Sequence, residues 1–252
     1  MKKEFNYQEE NIKTIERWIL EDEWKWGQPI SHETYVEATK GNYEVFLTPL
    51  KPVPNSWLGD LKGKKILGLA SGGGQQMAIF SALGAKCTVF DLSDMQLESD
   101  RLVAKREGFD IEIVKGDMSK PLPFENDSFD IIFSPVSYCY IEHIMPLFKE
   151  CHRILKKNGL FMYGADNGIN YLTNDEETIE NKMPFNPLKN KEQMKSLQED
   201  DCGVQFSHSL EELIGGVLKA GFQIIDIYED TNDEGRLKKL NIQTYIALLS
   251  KK

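Results

Sequence analysis

A chain of 252 residues lies near the upper end of what a single hydrophobic core carries, and 40% apolar with 10% aromatic residues supply the material for one. A formal charge of −10 argues against a nucleic-acid surface, because tracking a phosphate backbone needs a basic stripe. No apolar run reaches the ~18 residues of a membrane span, and Met1-Lys2-Lys3-Glu4 leads into no apolar signal core, so a soluble, cytoplasmic protein with no membrane partner is expected.

Residues 1–63 read as an N-terminal helical cap. Ile12, Ile15, Trp18 and Ile19 recur at helical spacing, and Tyr35, Val36, Thr39, Tyr43 and Phe46 predict a second helix from Glu33 to Leu47. Between them lies Trp24-Lys25-Trp26-Gly27-Gln28-Pro29, an aromatic turn suited either to stapling the cap down or to covering a ligand. Pro49, Pro52 and Pro54 then break the chain.

From Lys64 strands and helices alternate, which calls for right-handed crossovers and a mostly parallel sheet covered on both faces. Ile66 to Gly74 is an apolar strand running into a glycine-dense turn, and Cys87 to Asp91 is a second strand ending in an acid. Ser93-x-x-Gln96 reads as a capping box for a helix ending at Gly108. Ile111 to Val114 leads into Gly116-Asp117-Met118, and Phe129 to Ser134 forms a fourth strand whose Asp130 orders its start. Leu147, Cys151, Ile154 and Leu155 form the buried stripe of the next helix, leaving Glu150 and Arg153 structural, with Gly159 as a left-handed C-cap.

Asn174 to Asp201 is polar apart from Met183, Phe185 and Leu188, and loops this long in a compact domain are usually functional or mobile. Ser209-x-x-Glu212 caps a helix ending at Gly221. The strands Phe222 to Tyr228 and Ile242 to Leu249 are too close in sequence for a helical crossover, which predicts an antiparallel hairpin. Cys87, Cys139, Cys151 and Cys202 show no paired spacing and read as reduced, mostly structural thiols, and no metal site is expected.

Glycines at a strand end admit a ligand close to the backbone, and an acid after the next strand accepts hydrogen bonds from two ribose hydroxyls. The dinucleotide fingerprint fails, because Met77 or Gln75 stands where the third glycine belongs. The string Ile66 to Gly74 instead resembles the first motif of the class I S-adenosylmethionine-dependent methyltransferases, with Ala70, Gly72 and Gly74 in the glycine positions. Asp91 with Leu92, the Gly116-Asp117-Met118 turn, the strand Phe129 to Ser134, and Glu150-x-x-Arg153 running on to Gly159-Leu160 are similar to four further motifs of that family in the same order. Two departures stand out: Gly68 replaces the usual Asp or Glu, and Ala70 replaces the first glycine.

The resemblance implies an α/β fold, a doubly wound, mostly parallel seven-stranded sheet with an antiparallel last strand. It implies a catalytic domain over residues 64–252 with a lid insertion at about 167–207. S-adenosyl-L-methionine is then the methyl donor, held by Ala70, Ser71, Gly72, Gly74, Asp91, Leu92, Asp117, Met118 and Ser134. A nitrogen or oxygen acceptor needs a proton sink, for which His143 is the candidate unless it caps a helix or sits at the surface, with Tyr138 beside it. Trp26, Tyr35, Tyr140 and Asn167 are candidates for holding the acceptor. The absence of an Asn/Asp-Pro-Pro-aromatic tetrad around Ser134-Pro135-Val136-Ser137 disfavours nucleic-acid and protein-amide acceptors, which points to a small molecule. A non-catalytic S-adenosylmethionine-binding protein and a nicotinamide oxidoreductase are the alternatives.

Overall fold

The structure is a computed structural model that describes residues 5–21 and 25–252, so Trp24 of the aromatic turn lies outside the described residues. Its centre is a seven-stranded sheet in the order β3-β2-β1-β4-β5-β7-β6. The strands are β1 (Lys65–Leu69), β2 (Lys86–Asp91), β3 (Ile111–Lys115), β4 (Phe129–Ser134), β5 (Leu155–Asp166), β6 (Gln223–Asp230) and β7 (Tyr245–Lys251). β1 pairs in parallel with β2 on one side and β4 on the other, which makes it an interior strand, and its residues pack into the cores on both faces of the sheet, so it reads as a continuous apolar run. β7 runs antiparallel to both β5 and β6, as the short link between the last two strands requires.

Nine helices surround the sheet among the described residues. They are α1 (Tyr7–Leu20), α2 (His32–Thr39), α3 (Asn55–Leu58), α4 (Gln76–Ala82), α5 (Asp94–Glu107), α6 (Met145–Ile154), α7 (Lys191–Glu199), α8 (Gly216–Lys219) and α9 (Gly235–Lys239). One face of the sheet buries Leu67, Leu69, Ile132 and Phe161 against Leu147, Phe148 and Val217. The other buries Ile66, Val89 and Phe133 against Phe80 and Leu97, and Val45, Leu47, Trp57 and Leu61 from the segment before β1 join it. No helix among the described residues is long and apolar enough to cross a membrane.

Local chemistry sets the boundaries. Ser93 Oγ accepts the Gln96 N–H at 3.3 Å, and Gly108 closes α5 in the left-handed region at φ 74°. Ser209 and Glu212 bond reciprocally, each backbone N–H donating to the other side chain, and the following turn, Glu211–Gly215, is π-helical. Asp130 ties the sheet, accepting from the Lys65 N–H at 2.8 Å and Lys156 Nζ at 2.9 Å. Arg153 holds Glu150 while donating to the Phe124 carbonyl, so both are structural.

Two expectations are corrected. The helix predicted from Glu33 to Leu47 stops at Thr39, because Gly41 at φ 89° turns the chain, and Val45 and Leu47 are then buried on either side of Phe46, which bridges to Pro52. Gly159 is not the left-handed cap: Asn158 takes that conformation at φ 66°. Gly159 serves a different need, since a Cβ there would lie 2.5 Å from Leu155 Cδ2.

Candidate active site

At β1 the strand order reverses, which opens a cleft at the carboxyl ends of the strands. The loop leaving β1 is built there. Ala70 adopts φ 48° and donates its N–H to the Phe90 carbonyl at 2.8 Å, a left-handed conformation that costs an alanine about 1–2 kcal/mol. Two acids hold the next amides: Gly72 N–H donates to Asp91 Oδ2 at 3.0 Å and Gly73 N–H to Asp100 Oδ2 at 3.1 Å. A Cβ on Gly72 would lie 2.7 Å from Gln96 Cβ and 3.1 Å from Asp91 Oδ2. Gly68 is bare for a related reason, because a Cβ there would lie 2.7 Å from Met77 Sδ; the thioether fills the space next to it.

Above the loop is a cavity of about 900 Å³. One end is walled by Ala70, Ser71, Gly72, Asp91, Leu92, Asp117 and Met118. The other is walled by Cys139, Tyr140, Asp166, Tyr171 and Tyr245. The roof comes from distant chain. Gln8, Asn11 and Ile15 of α1 line the cavity, and Asn11 exchanges hydrogen bonds with Val204, donating to its carbonyl at 3.0 Å and accepting from its N–H at 2.6 Å. Gln75 Nε2 donates to the carbonyls of Lys25 and Gln28 at 2.7 and 2.6 Å, which fixes the turn carrying Trp26 at the wall.

Burial governs the electrostatics. It raises Asp91 despite the N–H groups of Ser93 and Gly72, and it pushes Asp100 up to about 8 and Asp166 up to about 6. The Cys139 thiol is pushed up to about 12, so it is neutral at physiological pH. Ser71 Oγ and Gln96 Oε1 are buried in the wall with no hydrogen-bond partner among the described residues. Such groups cost stability unless a ligand or solvent completes them.

Ala70, Ser71, Gly72, Asp91, Leu92, Asp117 and Met118 therefore come together at one end of the cavity, and Trp26 and Tyr140 also line it. The remaining predicted residues do not. Gly74 faces α5, where a Cβ would lie 2.7 Å from the Ser99 carbonyl. Ser134 is fully buried and spends its hydroxyl on the Leu69 carbonyl at 3.0 Å. Tyr138 is core, its ring 5.7 Å from Phe148 and 5.3 Å from Tyr163. His143 points outward, with its side chain 70% exposed and Nε2 3.6 Å from Glu142. Tyr35 stacks on Phe109 at 5.6 Å, and Asn167 holds the segment leading into β7 by donating to the Gln243 carbonyl at 2.8 Å. The short 3-10 turn Tyr138–Tyr140 accounts for the tyrosines, since it turns one into the core and the other to the cavity.

Asp100, Asp166, Tyr171 and Tyr245 line or support the cavity without a sequence expectation, and Gln96 is expected only as a helix cap. Asp100 left one signal: it interrupts the buried stripe Leu97, Val103 and Ala104 of α5 with an acid.

Residues 67–163 match the methyltransferase domain family. Over 236 residues the chain is 37% identical to the uncharacterized methyltransferase YbaJ of Bacillus subtilis, covering 90% of this chain and 92% of that one. The chain belongs to the class I S-adenosylmethionine-dependent methyltransferases. It is also 28% identical to 24-methylenesterol C-methyltransferase 3 of Arabidopsis thaliana, over 62% of this chain and 44% of that protein. Among solved structures, an S-adenosylmethionine-dependent methyltransferase from Mesorhizobium loti superposes with a TM-score of 0.62 at 19% identity, over 78% of this chain and 94% of that one. Where this family usually carries an acid, Met77 occupies the room beside Gly68, and Asp100 of α5 is a second carboxylate hydrogen-bonded to the glycine loop.

Proposed function

We propose that this methyltransferase binds S-adenosylmethionine at the Ala70 to Gly72 end of the cavity and transfers its methyl group to a small-molecule acceptor at the Tyr140 end. The observation that carries this reading is the unfinished hydrogen bonding at the donor end. Asp91 accepts the N–H groups of Gly72 and Ser93, one on each oxygen at 3.0 Å, and the lone pairs left over suit a ribose diol. Asp117 Oδ1 accepts the Ser119 N–H at 2.8 Å, which leaves its other oxygen for an amino group on a base. Leu92, Met118 and Phe90 give the apolar walls of a slot for the base, and Ser71 Oγ and Gln96 Oε1 are further groups for a ligand to complete.

When bound, the sulfonium supplies an electrophilic methyl group. The protein's task is then to hold the acceptor atom in line and to exclude water. Trp26, α1 and the insertion containing α7 serve that task from above the cavity. Calorimetry tests the donor assignment: S-adenosylmethionine and S-adenosylhomocysteine should both bind more tightly than NAD, and the reverse order would reject it.

A further inference from the structure

The acceptor end has a chemistry of its own. Asp166 closes β5 directly opposite Tyr245 of β7, so the carboxylate and the ring start from neighbouring backbone positions. Its two oxygens are held by the Gly168 N–H and by Asn170 Nδ2, both at 2.6 Å. Asn170 is fixed in turn by Asn232, and Asn232 by Thr244, which aims the carboxylate rather than neutralising it. Tyr140 and Tyr171 line the same end, and the Tyr171 hydroxyl is spent on Gln205 Oε1 at 2.8 Å.

The sign of the whole wall points the same way. Seven carboxylates line the cavity against one cationic side chain, Lys25, among the described residues. Lys25 is already paired with Asp233 at 2.9 Å. An anionic acceptor would enter against this field, while a cation gains from the carboxylate and from the tyrosine faces.

Resting on the methyltransferase reading, we propose that the acceptor is an amine, held as a cation among Tyr140, Tyr171 and Tyr245 and relieved of a proton by Asp166. The ammonium N–H proton moves to a carboxylate oxygen, leaving a neutral amine with a free lone pair and a neutral carboxyl. The lone pair forms the new N–C bond as the C–S bond breaks, its electron pair staying on sulfur, and the positive charge passes to the nitrogen. Burial holds Asp166 at about 6, well above an ordinary carboxylate, which suits it to accept that proton near neutrality.

A charge series of one shape tests this without turnover: phenethylamine, 2-phenylethanol and phenylacetate, titrated calorimetrically at pH 7.5 into protein saturated with S-adenosylhomocysteine and into free protein. Phenethylamine should bind about ten-fold or more tightly than phenylacetate, with the alcohol between them. Asp166→Asn should shrink that preference to roughly two-fold while leaving S-adenosylhomocysteine affinity unchanged, and Tyr245→Leu should weaken the amine alone. Equal or tighter binding of phenylacetate, no detectable binding of the amine, or an undiminished preference in Asp166→Asn would overturn the proposal. If Asp166→Asn does not fold, the wild-type series and Tyr245→Leu decide it. Failure of S-adenosylhomocysteine to bind would instead reject the donor site, and the series in free protein would still report on the acceptor end.

Discussion

At the residue scale, Asp91 has two jobs that a single substitution separates poorly, because the oxygens offered to a ribose also hold the Gly72 and Ser93 N–H groups. Asparagine keeps one acceptor but turns an N–H₂ toward one of those donors. Asp91→Asn should therefore lower S-adenosylhomocysteine affinity by roughly ten- to a hundred-fold, the loss of charge-assisted bonds worth about 1.5–3 kcal/mol, and also reduce the thermal midpoint. Calorimetry and thermal unfolding of the same preparation measure both effects. Gly68 makes the opposite point, since restoring the family's acid should harm the fold. Gly68→Asp drives a side chain into Met77 and should destabilise by about 1–3 kcal/mol; Met77→Ala in the same chain should recover part of that, a coupling a double-mutant cycle reads directly.

At the scale of elements, the cover over the cavity is thinly attached. The stretch Asn174 to Asp201 has few buried anchors, Phe185 and Leu197 among them, and several polar residues facing the cavity. Limited proteolysis should cut it readily in the free protein and several-fold more slowly with S-adenosylhomocysteine and an amine present. Strands were the legible part of this chain. β1, β2 and β4 are buried on both faces and so read as unbroken apolar runs, whatever lies beside them. The glycine-loop end of the cavity was legible for a related reason, because strand ends and tight turns carry its lining within short stretches of sequence. The Tyr140 end was not. Tyr138 and Tyr140 differ only in which way a short turn directs them, and Asp166 meets Tyr245 through a strand pairing that no local pattern announces. His143 has the chemistry of a proton acceptor, but it lies beside the salt-bridged Glu142 and in open solvent.

For the molecule as a whole, buried acids set an unusual pH response. Asp100 is raised from 3.8 to about 8 by burial first and then by Asp91, with the glycine N–H groups and Arg101 opposing; Asp166 is raised to about 6 by burial. Through the window between the unfolded and folded values the native state binds more protons, so their contribution to stability is present at low pH and lost as pH rises. Glu142 and Glu150 are held low by Lys189 and Arg153, and their contribution is lost as pH falls. The thermal midpoint should therefore peak on the acid side of neutrality, fall as pH rises through the folded values, and level off above about pH 8. Asp100→Asn, which keeps an acceptor for Gly73, should flatten the fall up to about pH 8, at roughly 2–4 °C per kcal/mol for a chain of this size. Asn11 has a consequence in time rather than in energy. Its two bonds to Val204 join positions separated by 193 residues, so during synthesis α1 leaves the ribosome long before its seat exists. The glycine loop, β2 and β4 can assemble while the first helix waits, and the cavity acquires its roof only after most of the chain has been made.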